Sequence, residues 1–272
     1  MLPVTADDWD DALLEYKYAT TTLTKSKFTM VVAALEFFLP QFKNRLPWCH
    51  AVLLGWNRSS HTGHIVPLTS RPAYLVAIML IYQNRLRLGA GLILQVRTGM
   101  RPSEMLKLMP EHVLCPEDVG QAETDGPIVL ALGVLENTKS KRPQVVTIQP
   151  DQPLLCALVR KCRALTPAGY YMFPYTLAEY RMRLHAVERD LGIRVGWGPH
   201  SPRAGWATDE KMAGTDFTAI REGGGWLSDQ SLRTYLDILS ATNVVRALRA
   251  AGLSARVETA ERLWPAYFGL QL

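Results

Sequence analysis

The stretch from Gly198 to Tyr235 constrains the fold of this chain most, because glycines interrupt its helical pattern between residues that carry chemistry. The GWGP sequence at 196–199 and the glycines at 223–225 predict breaks between helices. His200 and Arg203 are one helical turn apart, and the tyrosine follows Trp226 by nine residues. The glycine run predicts a flexible turn that brings this tryptophan to the other side chains.

The hydrophobic periodicity of the chain predicts a mainly α-helical protein with one small antiparallel β-sheet, an α+β fold. Two β-like runs, 128–135 and 144–148, flank the polar sequence ENTKSKRP, which has the composition of a hairpin turn with an exposed basic tip. A helix is also expected to start near Pro102 or Ser103, where proline and a capping serine suit a first turn. The other predicted helices are 7–19, 24–39, 48–57, 72–83, 86–97, 153–164, 176–191, 202–213, 215–222, 229–240, 242–251 and 254–264.

A polar, glycine- and proline-containing stretch near residue 60 predicts a domain boundary. We expect a short helical domain at 1–62, a linker at 63–70 and a larger domain at 71–272. His61 and His64 lie in or beside this linker with a possible metal-ligand spacing, but no Cys, Asp or Glu accompanies them closely. We therefore predict no metal site.

Composition sets broad limits on the function. The net charge of +5 and the pI near 9.0 permit a polyanionic partner without requiring one. The four cysteines form no CxxC pair, which argues against a zinc ribbon or a disulfide framework and predicts reduced thiols. The N-terminus lacks a secretory signal pattern and no apolar run is long enough to span a bilayer, so a cytoplasmic or nuclear location with no membrane contact is expected.

Two arginines are candidates for binding a phosphodiester. Cleavage of that bond requires an in-line nucleophile, neutralisation of the non-bridging oxygens and a proton for the leaving oxygen. Arg101, in the sequence RTGMRPSEM at 97–105, and Arg203 carry planar guanidinium groups that can hold one phosphate from two sides. For an isolated arginine, a surface or ion-pairing role is the usual alternative.

At these residues the chain resembles the tyrosine recombinase (phage integrase) family. TGMRPSEM resembles the first sequence box of that family, His200-x-x-Arg203 resembles the second, and Trp226 with Tyr235 resembles the third. The resemblance covers roughly residues 68–250. It implies a tyrosine recombinase-like catalytic domain, preceded here by a small helical domain. Pro202, between the histidine and the arginine of the second box, is expected in the first helical turn.

The resemblance also implies a role for each site residue. Tyr235 would be the nucleophile that forms a 3′-phosphotyrosyl bond, without a metal or another cofactor. His200 would accept the tyrosine proton or bind the phosphate, and Trp226 would donate its indole N–H to the phosphate. Glu104 would orient Arg101 or His200. A core tryptophan and a surface carboxylate are the alternatives for Trp226 and Glu104.

The general acid is expected at the tip of the predicted hairpin. Lys139 matches the position of the family's lysine just after the first strand, and Lys141 is the alternative two residues later. Either lysine could instead contact phosphates or solvent only.

The sequence therefore predicts a site-specific DNA recombinase or integrase, of the kind that mobile elements encode. Its partner would be double-stranded DNA, and the resemblance implies a homo-oligomer, a tetramer, on that DNA. Two alternatives stay open: a DNA-binding protein that keeps the fold without catalysis, and an activity like that of type IB topoisomerases. Covalent trapping on a nicked duplex distinguishes an enzyme from a binding protein.

Overall fold

The computed structural model describes residues 5–59, 65–132 and 144–270. The chain divides into two compact units, residues 1–63 and 64–272. The described residues are mostly helical and include one three-stranded antiparallel sheet, which confirms the predicted fold class. Among the described helices, none combines the length and apolar surface that a membrane span requires.

The described residues of the smaller unit form three α-helices, which the sequence predicts to within two residues. They are α1 (Ala6–Ala19), α2 (Lys25–Phe38) and α3 (Pro47–Ser59). Thr5 and Thr24 cap the first two helices by accepting hydrogen bonds from backbone N–H groups in the first turn. The buried apolar core of this unit consists of Leu13, Leu23, Phe28, Val32, Leu46 and Cys49.

A buried carboxylate joins two of these helices. Asp10 on α1 is only 1% exposed, and its two oxygens accept hydrogen bonds from the N–H groups of Trp48 and Cys49, each at 2.8 Å. These N–H groups belong to the first turn of α3, where no intrahelical acceptor exists and negative charge is stabilised by the helix dipole. Asp10 therefore caps α3 from a different helix.

The larger unit is organised around two buried helices, α4 and α5. Gly89 on α5 permits their close approach, because a Cβ at this position would lie 2.8 Å from the carbonyl oxygen of Ala77 on α4. The last helix covers α4, where the rings of Tyr74 and Trp264 stack with centroids 5.3 Å apart. The helices of this unit are α4 (Ser70–Tyr82), α5 (Leu86–Thr98), α6 (Pro102–Leu106), α7 (Pro153–Ala164), α8 (Leu177–Asp190), α9 (Ser201–Met212), α10 (Phe217–Gly223), α11 (Asp229–Arg233), α12 (Ile238–Ala250) and α13 (Ser254–Tyr267).

The sheet has the strand order β1-β2-β3 and is antiparallel throughout. Strand β2 (Ile128–Leu132) pairs with β3 (Gln144–Ile148) in a register that places Leu130 opposite Val146. Strand β1 (Val113–Leu114) was not predicted, because two residues carry no detectable alternation. Residues 133–143 lie outside the described residues. They include the predicted extension of β2 to residue 135 and the predicted hairpin tip.

The described part of the predicted linker, from Ile65 onward, runs along the larger unit. The N–H of Leu68 donates a hydrogen bond to the carbonyl oxygen of Ser201 at 2.9 Å. Gly205 leaves room for this contact, since a Cβ there would lie 1.9 Å from the Leu68 carbonyl oxygen. This segment therefore fixes the start of α9.

One predicted helix is wrong at its centre. Residues 229–240 form two helices, α11 and α12, and Tyr235 lies in the turn between them. The Asp237 side chain accepts a hydrogen bond from the N–H of Ser240 and so starts a new helix. The apolar periodicity of this stretch continues across the break, which is why periodicity alone missed it.

Candidate active site

The start of helix α9 positions the His-x-x-Arg pair. His200 immediately precedes the helix, and Pro202 lies in its first turn, as predicted, where proline removes no helical hydrogen bond. Arg203 points into the protein and is 1% exposed, whereas His200 is partly exposed.

The guanidinium of Arg203 is enclosed by two backbone carbonyls and an indole ring. Its Nη1 donates to the carbonyl oxygen of Gly99, and its Nη2 donates to that of Gly224 at 2.6 Å. Its Cζ lies 3.9 Å from the ring centroid of Trp226. Hydrogen bonds from a charged donor and a desolvated cation–π contact both stabilise this position. Arg203 thus links the end of α5 to the glycine run.

The burial of Arg203 has an electrostatic cost. Desolvation and, to a smaller extent, the positive charge of Arg101 lower the pKa of Arg203, while Glu104 acts in the opposite direction, and the net result is a pKa of about 10. A pKa of about 10 still leaves the side chain protonated at neutral pH. The site therefore concentrates positive charge in a position with little access to water.

Arg101 and Glu104 form a second, more accessible pair at the start of α6. One carboxylate oxygen of Glu104 accepts from Nη1 of Arg101 at 2.6 Å and the other accepts from its backbone N–H at 2.6 Å. The Nη2 of Arg101 donates to the carbonyl oxygen of Gly225 at 2.9 Å. The side chain of Arg101 is 29% exposed and that of Glu104 is 9% exposed. Glu104 thus contacts Arg101, one of the two partners expected for it.

Tyr235 lies beside His200 although 35 residues separate them in the sequence. The phenol oxygen is 3.2 Å from Nδ1 of His200, a hydrogen-bonding distance. The Cζ of Arg203 is 5.6 Å from the centroid of the tyrosine ring. The structure thus brings together Arg101, Glu104, His200, Arg203, Trp226 and Tyr235, through the contacts described here.

Electrostatics favour a neutral His200. Burial lowers the pKa of this histidine, and the positive charges of Arg203, Arg101 and Arg181 lower it further, while Glu104 acts in the opposite direction. A neutral imidazole can accept a proton through an unprotonated ring nitrogen. The arrangement can therefore take a proton from the tyrosine hydroxyl.

Tight packing holds Trp226 in this cluster. Its ring stacks on that of Trp206 with centroids 6.0 Å apart and contacts the ring of Tyr235 edge-on at 5.2 Å. A Cβ on Gly224 would lie 1.8 Å from the Trp226 ring, and a Cβ on Gly99 would lie 2.3 Å from the Trp206 ring. Glycine at both positions is therefore needed for the close packing of the two tryptophans. The sequence predicts only a flexible turn at 223–225 and not this packing role.

Sequence reasoning missed several residues that support the site. The carbonyls of Gly99, Gly224 and Gly225 carry no side-chain signal. Trp206, three residues after Arg203, could have been found as the next residue on the same face of a helix. Gln95 is fully buried and contacts the backbone next to His200, but a single glutamine in an apolar helix gives no pattern.

The remaining predicted residues lie outside the described part of the chain. These are Lys139 and its alternative Lys141, together with His61 and His64. Within the described residues, no group of three or more His, Cys, Asp or Glu side chains could hold a metal ion.

A stripe of exposed basic side chains runs along one face of helix α8. Arg181, His185 and Arg189 are four residues apart and all exposed, so they occupy one face of the helix. They line a surface groove of about 500 Å³ together with Ala178, Met182, Arg183 and Ala186. The positive charge of Arg181 acts on His200, so this stripe begins near the site.

Comparisons of sequence identify no relatives, since no protein-family model and no curated protein matches this chain. Comparisons of structure do. A post-cleavage complex of XerH site-specific recombinase with palindromic difH substrate matches with a TM-score of 0.50 and 17% identity, over 72% of this chain and 55% of the other. This chain thus spans little more than half the length of that protein.

Two further complexes match over larger shares. The pre-cleavage complex of XerH with difH has a TM-score of 0.51 and 15% identity, over 89% of this chain and 78% of the other. The Tn1549 transposon integrase with circular intermediate DNA has a TM-score of 0.55 and 15% identity, over 89% and 85%. At such identities a structural match establishes the fold. The chain therefore has the fold of the tyrosine recombinases, the family that its three sequence boxes resemble.

Proposed function

We propose that this protein is a site-specific DNA recombinase or integrase that cleaves and rejoins DNA through Tyr235. The observation that carries the proposal is the 3.2 Å contact between the Tyr235 hydroxyl and Nδ1 of His200, beside two arginines. A nucleophile in contact with a base and next to positive charge is the arrangement that nucleophilic catalysis on a phosphate requires.

In the proposed reaction, the phenol oxygen of Tyr235 attacks the scissile phosphorus while its proton passes to His200. The bond from phosphorus to the 5′ oxygen breaks, and Lys139 donates the proton that this oxygen takes up. The product is a 3′-phosphotyrosyl bond and a free 5′ hydroxyl. Attack by a 5′ hydroxyl reverses these steps and rejoins DNA. Arg101 and Arg203 neutralise the non-bridging oxygens, and the Trp226 indole N–H provides a further donor.

The proposal requires a local rearrangement around Arg203. Both of its terminal nitrogens already donate to glycine carbonyls, and its Nε, which is buried, has no hydrogen-bond partner among the described residues. Arg203 has further N–H donors that the glycine carbonyls do not use, but it is only 1% exposed, so a phosphate can reach them only if the glycine run shifts. A phosphate oxygen would then give the buried Nε an acceptor, and a hydrogen bond between two charged groups is stronger than one between neutral groups.

The basic stripe on α8 supports double-stranded DNA as the partner. Cationic side chains on one exposed helix face can neutralise successive phosphates, and Arg181 links this face to His200 electrostatically. The structures of the XerH and Tn1549 proteins that share the fold are complexes with DNA. We propose that residues 71–272 are the catalytic domain, that residues 1–62 are a short core-binding-like domain joined to it by a linker at 63–70, and that four copies assemble on DNA. An origin in a mobile element is part of the same proposal.

One observation favours a second candidate, a DNA-binding protein that no longer cleaves. Arg203 is 1% exposed, and each of its terminal nitrogens donates a hydrogen bond to a glycine carbonyl. If the glycine run cannot shift, phosphate never reaches this arginine. Such a protein would bind DNA in a salt-dependent manner and form no covalent adduct.

Covalent capture separates the two candidates. The protein is incubated with a pool of nicked DNA duplexes of random sequence, and protein–DNA adducts that survive denaturation are isolated. We expect an adduct with the parent protein and with Tyr170→Phe, a matched control at an exposed tyrosine, but none with Tyr235→Phe. DNA binding without an adduct in the parent would support the non-catalytic candidate.

A further inference from the structure

A buried polar chain connects the core of the larger unit to the backbone next to His200. The hydroxyl of Tyr180 on α8 donates to Oε1 of Gln95 on α5 at 2.9 Å, and Nε2 of Gln95 donates to the carbonyl oxygen of Pro199 at 2.9 Å. Tyr180 and Gln95 are both 0% exposed. Burial raises the pKa of Tyr180, so its hydroxyl keeps the proton that it donates.

This arrangement gives the glutamine amide one orientation. Its oxygen can only accept and its nitrogen can only donate, so the tyrosine hydroxyl on one side and the proline carbonyl on the other fix which atom faces which partner. An apolar side chain would fill the same core space with no polar group to satisfy. The polar side chain is therefore explained by the contact that it makes with Pro199.

The contacted carbonyl belongs to the residue directly before His200. The two residues before Pro199 are also anchored, since the N–H of Trp197 donates to the buried carboxylate of Glu188 and the N–H of Gly198 donates to Oγ of Ser201 at 2.9 Å. The Gln95 contact completes a series of three anchored residues that leads into the histidine.

Helix α5 also positions Arg203, one of the two arginines that we propose to bind the phosphate. Gln95 lies one turn before Gly99, whose carbonyl oxygen accepts from Arg203. The same helix thus holds the backbone beside His200 through a side chain and holds Arg203 through a carbonyl. Catalytic groups need placement to within about 0.5 Å, which rigid elements provide better than loops.

We propose that Gln95, oriented by Tyr180, is the positioning residue that sets the distance between His200 and Tyr235. The inference rests on the proposed function, because it gives this distance a role in proton transfer. Gln95 itself does not contact the reacting atoms.

The test uses the double variant Gln95→Met/Tyr180→Phe, which removes both polar partners together and keeps the shape of the core. The hydrogen bond between Tyr180 and Gln95 loses both of its partners, which is close to neutral for stability. The buried carbonyl of Pro199 loses its Gln95 donor, which lowers stability. Thr208→Val is the control, since Thr208 is also fully buried and its hydroxyl has no partner among the described residues. Three quantities are measured for each protein: melting temperature, DNA affinity, and the rate of adduct formation on a nicked duplex.

A positioning role predicts DNA affinity close to that of the control and a melting temperature lowered by about 2–12 °C, the effect of one unpaired carbonyl. Adduct formation should slow by about 10- to 100-fold, the loss expected from a displacement of about 1 Å. The nuclear Overhauser effects between the rings of His200 and Tyr235 should weaken in the double variant. An adduct rate equal to that of the control, or a rate that falls only in proportion to melting temperature, would overturn the proposal.

The contacts between the rings of His200 and Tyr235 can be measured without any adduct, so they test the positioning role independently of the proposed function. If neither the parent nor the control forms an adduct, the proposed function fails, while unchanged ring contacts in the double variant would still refute the positioning role. If the double variant does not fold, the single variant Gln95→Met replaces it, because methionine keeps most of the side-chain volume and cannot donate to Pro199. The same loss of ring contacts is then expected.

Discussion

Substitution of Gly224 by alanine tests the packing that holds the site together. The backbone of Gly224 has φ −86°, which any residue can adopt, so alanine brings no backbone strain. Its Cβ, however, would lie 1.8, 2.3 and 2.8 Å from three atoms of the Trp226 ring. The indole would have to move by about 1.5–2 Å to restore ordinary contact distances of about 3.5–4.0 Å between carbon atoms.

The expected magnitude follows from two opposing effects. Overpacking a well-packed site costs about 1–3 kcal/mol, and replacing glycine by alanine stabilises by about 0.4–1 kcal/mol through the unfolded chain. The net loss is roughly 1–2 kcal/mol, because the steric effect is the larger one. At about 2–4 °C per kcal/mol for a unit of this size, the melting temperature should fall by about 2–8 °C.

The functional loss should be larger than the loss of stability. Trp226 contacts both Arg203 and Tyr235, so displacement of its ring moves a phosphate ligand and the nucleophile together. We expect adduct formation to slow by at least about tenfold.

Gly198→Ala is the matched control for this substitution. Gly198 lies in the same unit, and a Cβ at this position would meet nothing within 4 Å. Its melting temperature should equal or exceed that of the parent. Thermal melting and covalent capture of both variants under the same conditions provide the comparison. If Gly224→Ala melts as high as Gly198→Ala and forms adduct at the parent's rate, the reasoning about Trp226 is refuted.

Two further predictions concern the charged and titrating groups. Asp10→Ala should destabilise the smaller unit by about 1–3 kcal/mol, because two N–H groups at the start of α3, one of them buried, lose their acceptor. Asp11→Ala, at an exposed position, should change the free energy of unfolding by less than about 0.5 kcal/mol. Urea titration of both variants checks this. The pKa of His200 is lowered in the folded protein, so the unfolded chain binds the proton more tightly. The contribution of this histidine to folding stability is therefore fully present above its ordinary pKa of about 6.5 and is lost as pH falls below that value. His200→Gln should therefore flatten the dependence of stability on pH below about 6.5, and an unchanged slope would contradict the assigned environment.

Much of the fold follows from local signals in the sequence. Apolar residues at three- to four-residue steps predict α1, α2, α4 and α5 to within one or two residues, because each helix buries one face or more. The break between α11 and α12 escaped this reasoning. Its signal is a side-chain cap at Asp237, and a single aspartate within an apolar helical pattern is not distinctive enough to end a predicted helix.

The candidate site could also be predicted only in part. Its side chains could be predicted, because arginine, histidine and tyrosine carry the chemistry and their spacing matches sequence boxes. The acceptors that hold the two arginines could not be predicted, because they are backbone carbonyls of Gly99, Gly224 and Gly225 that only the tertiary fold brings into reach. Gln95 was missed for a related reason: its role depends on a proline carbonyl 104 residues away.

In the proposed reaction, Tyr235 forms a covalent bond to the 3′ side of a cleaved DNA strand. Nicked duplexes labelled separately on the two sides of each potential cleavage site are incubated with the protein, and the trapped adduct is digested and mapped by peptide mass spectrometry. We expect a nucleotide attached through its 3′ phosphate to the peptide that contains Tyr235. The other DNA fragment should carry the free 5′ hydroxyl. An adduct on a different residue or on the 5′ side would contradict it, as would DNA binding that never yields an adduct.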